Sequence, residues 1–360
     1  FFKQKTAYEI RPRDWSSDVC SSDLCEPPIV EAAMRLIAHN EERFPKKIRA
    51  GKSGKQKVRF QYFEDCYKEN AFLAEDIRQT VQNGVPLSEI AVLFRTNMQP
   101  RALMEYMVSA NLAFQTKDRI PDIYEHWIAR DFFTYIRIAQ GSDSRADFLS
   151  IMNRPKRYIG RDSLPDETVC FDEWMKLYEE QPWIAERIEK LWYDLKHLSR
   201  LSPYAAINYI RRGIGYDDYL AEYAEYRNAN KEDFYEVADE ILASAKGYRT
   251  FEEWFAHIEE YRQELKRLAQ EKRRNQNAVT FATLHSAKGL EFTKVYLIDV
   301  NEGVMPYKKA VLKQDVEEER RLFYVGMTRA KESLTICSVK KMRGKEVELS
   351  RFIKEAGKEP

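Results

Sequence analysis

The residues best suited to chemistry lie near the end of the chain, where a polar cluster follows an apolar stretch at residues 280–284. His285, Lys288 and Glu291 offer a hydrogen-bond donor, a cation and an acceptor within one loop. Gly289, in the same loop, lets a ligand approach the backbone closely. Because loops at the carboxyl ends of parallel strands often bind ligands, this loop is the first candidate for a binding site.

A second block, residues 317–330, has three glutamates followed by two arginines and an apolar stretch that Arg329 closes. Charges at this spacing on a helix need not have a function, since they can simply form a salt-bridged, solvated surface. For residues 317–320 that interpretation is as good as a functional one. Arg329 differs, because an arginine beside Thr328 at the end of an apolar stretch has no obvious surface role. We therefore take Arg329 as a candidate functional residue.

Two shorter patterns suggest nucleotide chemistry but lack its context. Gly51-Lys52-Ser53 matches the end of the phosphate-binding pattern G-x-x-x-x-G-K-[ST], but Lys46 stands where the first glycine is required, and no apolar strand precedes the loop. We expect a solvated basic loop there. Asp299 follows an apolar stretch, as a magnesium-binding aspartate would, but without a phosphate loop upstream we expect only a strand end.

The elements that would position these residues fall into two patterns. Towards both ends of the chain, short apolar strands alternate with helices, as is typical of a parallel sheet. We predict strands at 58–63, 90–94, 279–284, 295–298 and 334–337, and helices at 28–40, 70–82, 100–110 and 317–330. Between about residues 122 and 275 only helical patterns occur, rich in Tyr, Trp and Leu. We predict an α/β fold in which a large all-helical insertion domain interrupts a parallel-sheet domain.

Composition limits the class of protein. Basic and acidic residues nearly balance, 59 against 58, which excludes attachment to nucleic acid by bulk charge but not by a local basic surface. No apolar stretch approaches the ~20 residues that a membrane helix requires. The five cysteines form no C-x-x-C pair, so the sequence indicates neither a disulfide framework nor a zinc site. We expect a cytoplasmic protein with no membrane segment and no metal site in this chain.

Both blocks resemble motifs of a known family. T-L-H-S-A-K-G-L-E-F, at 283–292, and E-E-E-R-R-L-F-Y-V-G-M-T-R-A, at 317–330, are similar to motifs V and VI of the UvrD/Rep/PcrA-type superfamily 1 DNA helicases. Residues 91–101 resemble the strand-end segment of the family that meets single-stranded DNA, with Pro100 where serine is usual. The similarity extends from Cys25 to near Phe352 and is weakest in the helical middle.

The resemblance implies an ATP site with Mg²⁺ as the accompanying ion. Gly289, Lys288, Glu291 and Arg329 would bind the nucleotide, with Glu291 on the ribose. Arg329 would reach the γ-phosphate as the catalytic residue, where an arginine stabilises charge on the transferring phosphoryl group. The magnesium ligands would lie in an N-terminal half that this sequence does not include.

The resemblance also implies contacts with single-stranded DNA and with a duplex junction. Arg95 and Asn97 would touch the single strand, while His285 and Lys288 would couple nucleotide to DNA. The turn P-K-R-Y-I-G at 155–160 resembles the P-K-R-G-I-G turn of the insertion domain, with Tyr158 in place of the first glycine. Its DNA-binding candidates are Lys156, Arg157 and Gly160.

The resemblance further implies a division of the chain. Residues 25–118 and 277–360 would form the second RecA-like domain, called 2A, and residues 119–276 the helical insertion domain, called 2B. The first RecA-like domain, with the phosphate loop, would be the partner half. Residues 1–24 contain the tandem S-S-D-V-C-S-S-D-L and resemble translated sequencing-adapter read-through, so we expect an artefactual tail. The alternative is a natural N-terminal tail.

The leading hypothesis is the C-terminal portion of an ATP-dependent 3′–5′ DNA helicase or translocase, inactive alone because it has one wall of the ATP site. DNA repair, replication restart and plasmid replication are equally open as its pathway. The alternative is a non-catalytic nucleic-acid-binding or regulatory module derived from such a helicase. A helicase fused to a nuclease is a third possibility, for which the sequence shows no carboxylate cluster.

Overall fold

The computed structural model describes residues 25–41, 58–118, 120–271 and 277–357. The tail 1–24 and the candidate phosphate loop at 51–53 lie outside the described residues. The chain divides into two compact units: unit 1 runs to Pro121 and resumes at Glu264, and unit 2 is Asp122–Gln263. No helix in the described part of the chain is long and apolar enough to cross a membrane.

Unit 1 is built on a sheet whose strands run in the order β1-β6-β5-β2-β4-β3, each pair parallel, with β7 antiparallel to β6. The parallel sheet predicted from the sequence is therefore confirmed. The strands are β1 (Arg59–Asp65), β2 (Ile90–Phe94), β3 (Phe114–Thr116), β4 (Val279–Thr283), β5 (Phe292–Leu297), β6 (Ala330–Met342) and β7 (Lys345–Glu346). The helices are α1 (Pro27–Ile37), α2 (Cys66–Gln82), α3 (Arg101–Ser109), α12 (Lys313–Met327) and α13 (Arg351–Ala356).

The core of the sheet follows from two strands that are apolar or small throughout. All five residues of β2 and all five of β4 are buried, as expected for parallel strands that are covered on both faces. Helices α1, α12 and α13 contribute to one continuous apolar cluster with the strands, including Leu36, Phe323 and Phe352. The site residues are therefore attached to a rigid core.

The predicted elements of unit 1 are confirmed, with shifted ends. Strand β6 is longer than the predicted 334–337 and begins at Ala330, because its polar terminal residues carry no apolar signal. Helix α12 begins before the predicted residue 317 and ends before residue 330. Strands β3 and β7 were not predicted, since three and two residues are too few for a period-2 pattern to show.

The described residues of unit 2 form helices, and the single β pairing among them is the isolated bridge between Ser144 and Thr168. A buried carboxylate, Asp131, accepts hydrogen bonds from Arg154 Nη1 at 2.7 and 2.9 Å and from the Tyr216 hydroxyl at 2.5 Å. The helices are α4 (Trp127–Ala139), α5 (Arg145–Ile151), α6 (Phe171–Lys176), α7 (Pro182–Leu198), α8 (Pro203–Asn208), α9 (Tyr216–Tyr226), α10 (Lys231–Ser244) and α11 (Phe251–Glu271), which continues into unit 1.

Candidate functional site

Arg329 joins the end of α12 to the loop that precedes β5. The residue is 1% exposed, and a guanidinium is tolerated there only when its N–H groups are hydrogen-bonded. Nε donates to the Val325 carbonyl at 2.9 Å, Nη1 to the Leu290 carbonyl at 3.2 Å and Nη2 to Thr328 Oγ1 at 3.2 Å. The Phe292 N–H donates to the Arg329 carbonyl at 2.9 Å. The two sequence blocks therefore meet at this corner.

Three further candidates for nucleotide binding lie on the loop beside Arg329. Gly289 has φ +78°, a left-handed conformation that glycine adopts at little cost, and a Cβ there would meet no atom within 4 Å. Lys288 is exposed and Glu291 is partly exposed. The structure thus places Gly289, Glu291 and Arg329 at the amino ends of β5 and β6, with an open backbone at the glycine.

Asp118, which sequence reasoning missed, holds the other end of the same loop. Its Oδ2 accepts a hydrogen bond from the Thr283 N–H at 2.7 Å, and its Oδ1 accepts one from the Ser286 hydroxyl. The Ser286 N–H also donates to Thr283 Oγ1 at 3.2 Å. These bonds fix the turn that carries His285. No sequence pattern could reveal them, because Asp118 and Thr283 are 165 positions apart.

Arg95, which follows β2, is bound by helix α12. Its Nε and Nη2 donate to the Glu319 carboxylate at 2.8–3.1 Å, and its guanidinium lies 5.1 Å from the centre of the Tyr307 ring. The Tyr307 N–H donates to the same carboxylate at 3.1 Å. Desolvation of the His285 ring and, next in size, the positive charge of Arg95 lower the pKa of that histidine. His285 is therefore neutral at pH 7 and can donate or accept a hydrogen bond.

Asn97 lies in a turn that Gln99 organises, a second residue that the sequence did not single out. Gln99 Oε1 accepts hydrogen bonds from the N–H groups of Arg95 and Thr96, at 2.9 and 2.8 Å. Its Nε2 donates to Asp299 Oδ2 at 3.3 Å. Asp299 follows the end of β5, as expected from the sequence. Its carboxylate supports the turn through the hydrogen bond from Gln99. Asn97 itself is partly buried.

Asp299 belongs to a buried pair of carboxyl groups. Glu69 is 1% exposed and Asp299 6% exposed, and the Asp299 N–H donates to Glu69 Oε1 at 3.2 Å. Burial raises the pKa of both groups, and the charge of Asp299 raises the pKa of Glu69 further. The pair therefore retains a proton at pH values where exposed carboxyl groups are ionised.

The candidate residues of unit 1 form two groups at opposite edges of the sheet, one edge being formed by the carboxyl ends of the strands and the other by their amino ends. Arg95 and His285 follow β2 and β4, whereas Glu291 and Arg329 immediately precede β5 and β6. Because β2 is in parallel register with both β4 and β5, the length of β5 separates the two edges. At ~3.3 Å per residue that is about 20 Å. The expected location at the carboxyl ends of strands is thus correct for His285 and wrong for Glu291, since the loop returns to the amino edge.

The charged stretch of α12 is only partly a solvated surface. Arg321 pairs with Glu318 of the same helix at 2.9 Å. Arg320 instead binds Glu355 of α13 at 2.6 Å and donates to Asn40 Oδ1 at 2.5 Å. The helix therefore uses its charges to bind other elements as well as to face solvent.

In unit 2, the structure does not place Arg157 at the surface, where a DNA contact was expected. Arg157 is 7% exposed. Its Nη1 donates to the carbonyls of Ile151 and Met152, at 3.2 and 3.0 Å, and its Nη2 donates to the Tyr135 hydroxyl at 3.2 Å. These hydrogen bonds hold the guanidinium in the interior of unit 2, so Arg157 supports the backbone of the turn and does not face solvent.

Lys156, Tyr158 and Gly160 of the basic turn are exposed, and Tyr158 has a backbone conformation that usually favours glycine. The φ angle of Tyr158 is +60°. Asn153 Oδ1 accepts hydrogen bonds from the N–H groups of Arg157 and Ile159, at 3.2 and 3.1 Å. The turn therefore keeps the left-handed conformation although a tyrosine replaces the glycine.

A parallel sheet with these two joined sequence blocks is consistent with a RecA-like helicase domain. Residues 25–169 and 191–341 match the family of UvrD-like helicase C-terminal domains. The chain belongs to this family, as the resemblance of its motifs predicted.

Curated relatives align with most of the chain. It is similar to YjcD of Bacillus subtilis (strain 168), 27% identical over 340 residues, which are 91% of this chain and 44% of the relative. It is 30% identical over 359 residues to the ATP-dependent DNA helicase PcrA of Staphylococcus epidermidis, covering 91% and 48% of the two chains. It is 27% identical over 359 residues to the ATP-dependent DNA helicase Rep of Salmonella typhimurium, covering 91% and 52%. The chain thus spans about half the length of the curated relatives it matches.

Proposed function

We propose that this chain is the C-terminal portion of an ATP-dependent 3′–5′ DNA helicase or translocase that acts in the cytoplasm. Residues 25–118 and 277–360 would be its 2A domain and residues 119–276 its helical 2B domain. The observation that carries the proposal is the 3.2 Å hydrogen bond from Arg329 to the Leu290 carbonyl, because it joins the two motif blocks at one corner. Relatives named as ATP-dependent DNA helicases, aligned over most of the chain, support it.

The corner supplies groups that suit one wall of an ATP site. Glu291 can accept hydrogen bonds from ribose hydroxyls, Lys288 carries positive charge, and Gly289 leaves the backbone open to a ligand. Arg329 is the proposed catalytic residue, which stabilises charge on the γ-phosphoryl group. Because Arg329 is 1% exposed, its contact with a nucleotide requires the loop at Leu290 to move. Mg²⁺ would be held by the other RecA-like domain.

The DNA path uses the opposite edge of the sheet. Arg95, Asn97 and His285 are the proposed contacts with single-stranded DNA. In unit 2, Lys156 and the Gly160 backbone are the proposed contacts with duplex phosphates, and Arg157 positions that turn. Contacts of this type neutralise phosphate charge and weaken steeply as salt rises.

The role of Arg329 is testable in the full-length protein encoded by the source gene. Arg329→Ala and Arg329→Lys should each lower DNA-stimulated ATP hydrolysis at least ~100-fold, because a lysine lacks the planar donor set of an arginine. Arg351→Ala, which removes an exposed arginine paired with Glu302, is the matched control and should retain activity. Circular dichroism confirms folding. Full ATPase activity of folded Arg329→Lys would refute the assigned role.

Assays of ATP hydrolysis and DNA binding by the 360-residue chain alone distinguish the proposal from the non-catalytic alternative. With single-stranded DNA and ATP, the proposal expects DNA binding without turnover, and it expects turnover to appear in the full-length protein. Robust hydrolysis by the chain alone would contradict a one-walled site. A full-length protein that binds DNA but lacks ATPase activity would favour the regulatory module.

A further inference from the structure

Unit 2 carries an exposed cluster of aromatic and basic side chains, here called the aromatic–basic surface: Lys156, Tyr158, Trp183 and Arg187. The Arg187 guanidinium lies 5.1 Å from the Tyr158 ring centre and 4.9 Å from the Trp183 ring centre. Lys156 Nζ lies 4.8 Å from the Tyr158 ring centre, and the two rings are 6.3 Å apart, edge to face. Arg187 Nη1 also donates to the Arg157 carbonyl at 3.2 Å. The basic turn and α7 thus form one connected surface.

Both rings of this surface are exposed. Tyr158 is 56% exposed and Trp183 49% exposed, so part of each ring faces solvent. Neither Lys156 nor Arg187 forms an ion pair with a carboxylate in the described part of the chain. The surface therefore offers two aromatic rings together with two cations whose charge no described acid neutralises.

We propose that the aromatic–basic surface binds unpaired nucleotides of a single-stranded nucleic acid. Aromatic side chains stack on the faces of unpaired bases, while nearby cations neutralise the phosphates that link them. A duplex exposes phosphates and base edges but keeps its base faces stacked inside, so it has no use for the two rings. The combination of rings and cations therefore favours a single strand over a duplex.

Two parts of the surface lie outside what the family match and the family motif cover. Trp183 and Arg187 lie between residues 169 and 191, outside the match to the family of UvrD-like helicase C-terminal domains. Tyr158 stands where the resemblance places a glycine. The inference rests on the proposed function and extends it by adding to unit 2 a single-strand site that shares Lys156 with the duplex contacts proposed for the turn and is not part of the path proposed in unit 1.

Photo-crosslinking of the 360-residue chain to an oligo(dT) containing 5-iododeoxyuridine locates the contact directly, because this base crosslinks to aromatic rings on which it stacks. We expect crosslinks in tryptic peptides that contain Tyr158 or Trp183, and we expect them to persist in Arg95→Ala, which removes a contact of the path proposed in unit 1 and leaves unit 2 unchanged in sequence. Crosslinks confined to unit 1 would overturn the inference and leave the proposed function standing. Crosslinks confined to unit 2 would support the inference and count against the unit 1 path.

Binding measurements with variants test the stacking role. Trp183→Ala combined with Tyr158→Gly should weaken oligo(dT) binding by the unit 2 surface about ten-fold, measured by fluorescence anisotropy in the Arg95→Ala background. The glycine suits the left-handed backbone at residue 158, so the fold should survive. Tyr193→Ala is the matched control, because Tyr193 is 58% exposed on the same helix but lies ten residues, about 15 Å, further along it than Trp183. An equal loss of affinity for a blunt duplex would show a phosphate site and overturn the inference.

Discussion

Gly326 allows helix α12 to lie directly against the loop that joins β4 to β5. A Cβ at this position would overlap the Leu284 side chain and would lie 3.3 Å from Leu297 Cδ2. The glycine therefore serves close packing rather than a turn, inside a helix where glycine is otherwise unfavourable. The same contact determines how close the end of α12 lies to the sheet, and Arg329 follows Gly326 by three residues.

We expect Gly326→Ala to destabilise the chain by about 1–3 kcal/mol, because the added methyl group overfills a packed core. Urea unfolding measures the change. Leu284→Ala in the same molecule removes the overlapping side chain, so the double variant should be more stable than the sum of the two single changes predicts. Strictly additive changes would show that the Gly326 contact with Leu284 is not the cause.

The buried pair of Glu69 and Asp299 should make stability depend on pH. Burial raises both pKa values, so the folded protein holds a proton that the unfolded chain releases above about pH 4.5. The stabilisation is complete below that pH and is lost as pH rises through the raised pKa. Glu69→Gln keeps an acceptor for the Asp299 N–H without needing a proton.

Glu69→Gln should therefore gain stability relative to wild type between about pH 5 and pH 8, on the order of 1 kcal/mol. Urea titrations at both pH values give the two free energies of unfolding. Glu75→Gln, on the exposed side of the same helix, is the control and should show no such trend. A difference between Glu69→Gln and wild type that is the same at both pH values would contradict the shared proton.

At the scale of elements, α12 connects the two edges of the sheet. Glu319 binds Arg95 at one edge, and Arg329 follows the end of the helix at the other. Arg320 ties the helix to α13 through Glu355 and to the residue Asn40 beyond α1. The helix is therefore fixed at three places along its length.

Two adjacent arginines of α12 allow a matched test of these ties. Arg320→Ala should destabilise by about 3 kcal/mol or more, because it leaves the partly buried Glu355 carboxylate without its partner. Arg321→Ala removes an ion pair with the more exposed Glu318 and a longer one, 3.5 Å, with Glu317, and should cost about 1 kcal/mol. Chemical denaturation of both variants measures the difference. Equal losses would mean that Arg320 stabilises only its own helix.

The sequence predicted those elements whose signal is local. Strand β2 was predicted with its observed ends because all five of its residues are apolar and both faces are buried. The supports of the site could not be predicted in this way. Gln99 meets Asp299 across 200 positions, and Arg95 meets Glu319 across 224, so only the folded sheet brings them together. Likewise, Arg157 is buried because backbone carbonyls point towards its guanidinium, and the spacing of residues in the sequence does not predict where a carbonyl points.

At the scale of the whole molecule, the net charge of +1 conceals an uneven distribution. Within the basic stretch 154–161, Arg154 is neutralised by Asp131 and Arg157 faces inward. Lys156, the exposed Arg161 and the neighbouring Arg187 supply the accessible charge instead. Under the proposed function, long-range attraction of DNA to this chain would therefore be weak, and binding would depend on local contacts that position individual phosphates and bases.

The strand order of unit 1 has a consequence for how the protein is made. Strands encoded before unit 2 are interleaved in the sheet with strands encoded after it, and β2 lies between β5 and β4. Glu64 and Lys341, which pair at one edge, are 277 positions apart. At about 5–20 residues per second, a ribosome needs roughly ten seconds or more to pass from β3 to β4. During that time the apolar strand β2 lacks both of the strands that flank it in the folded sheet, so it can take up its final pairing only after β4 and β5 have been synthesised.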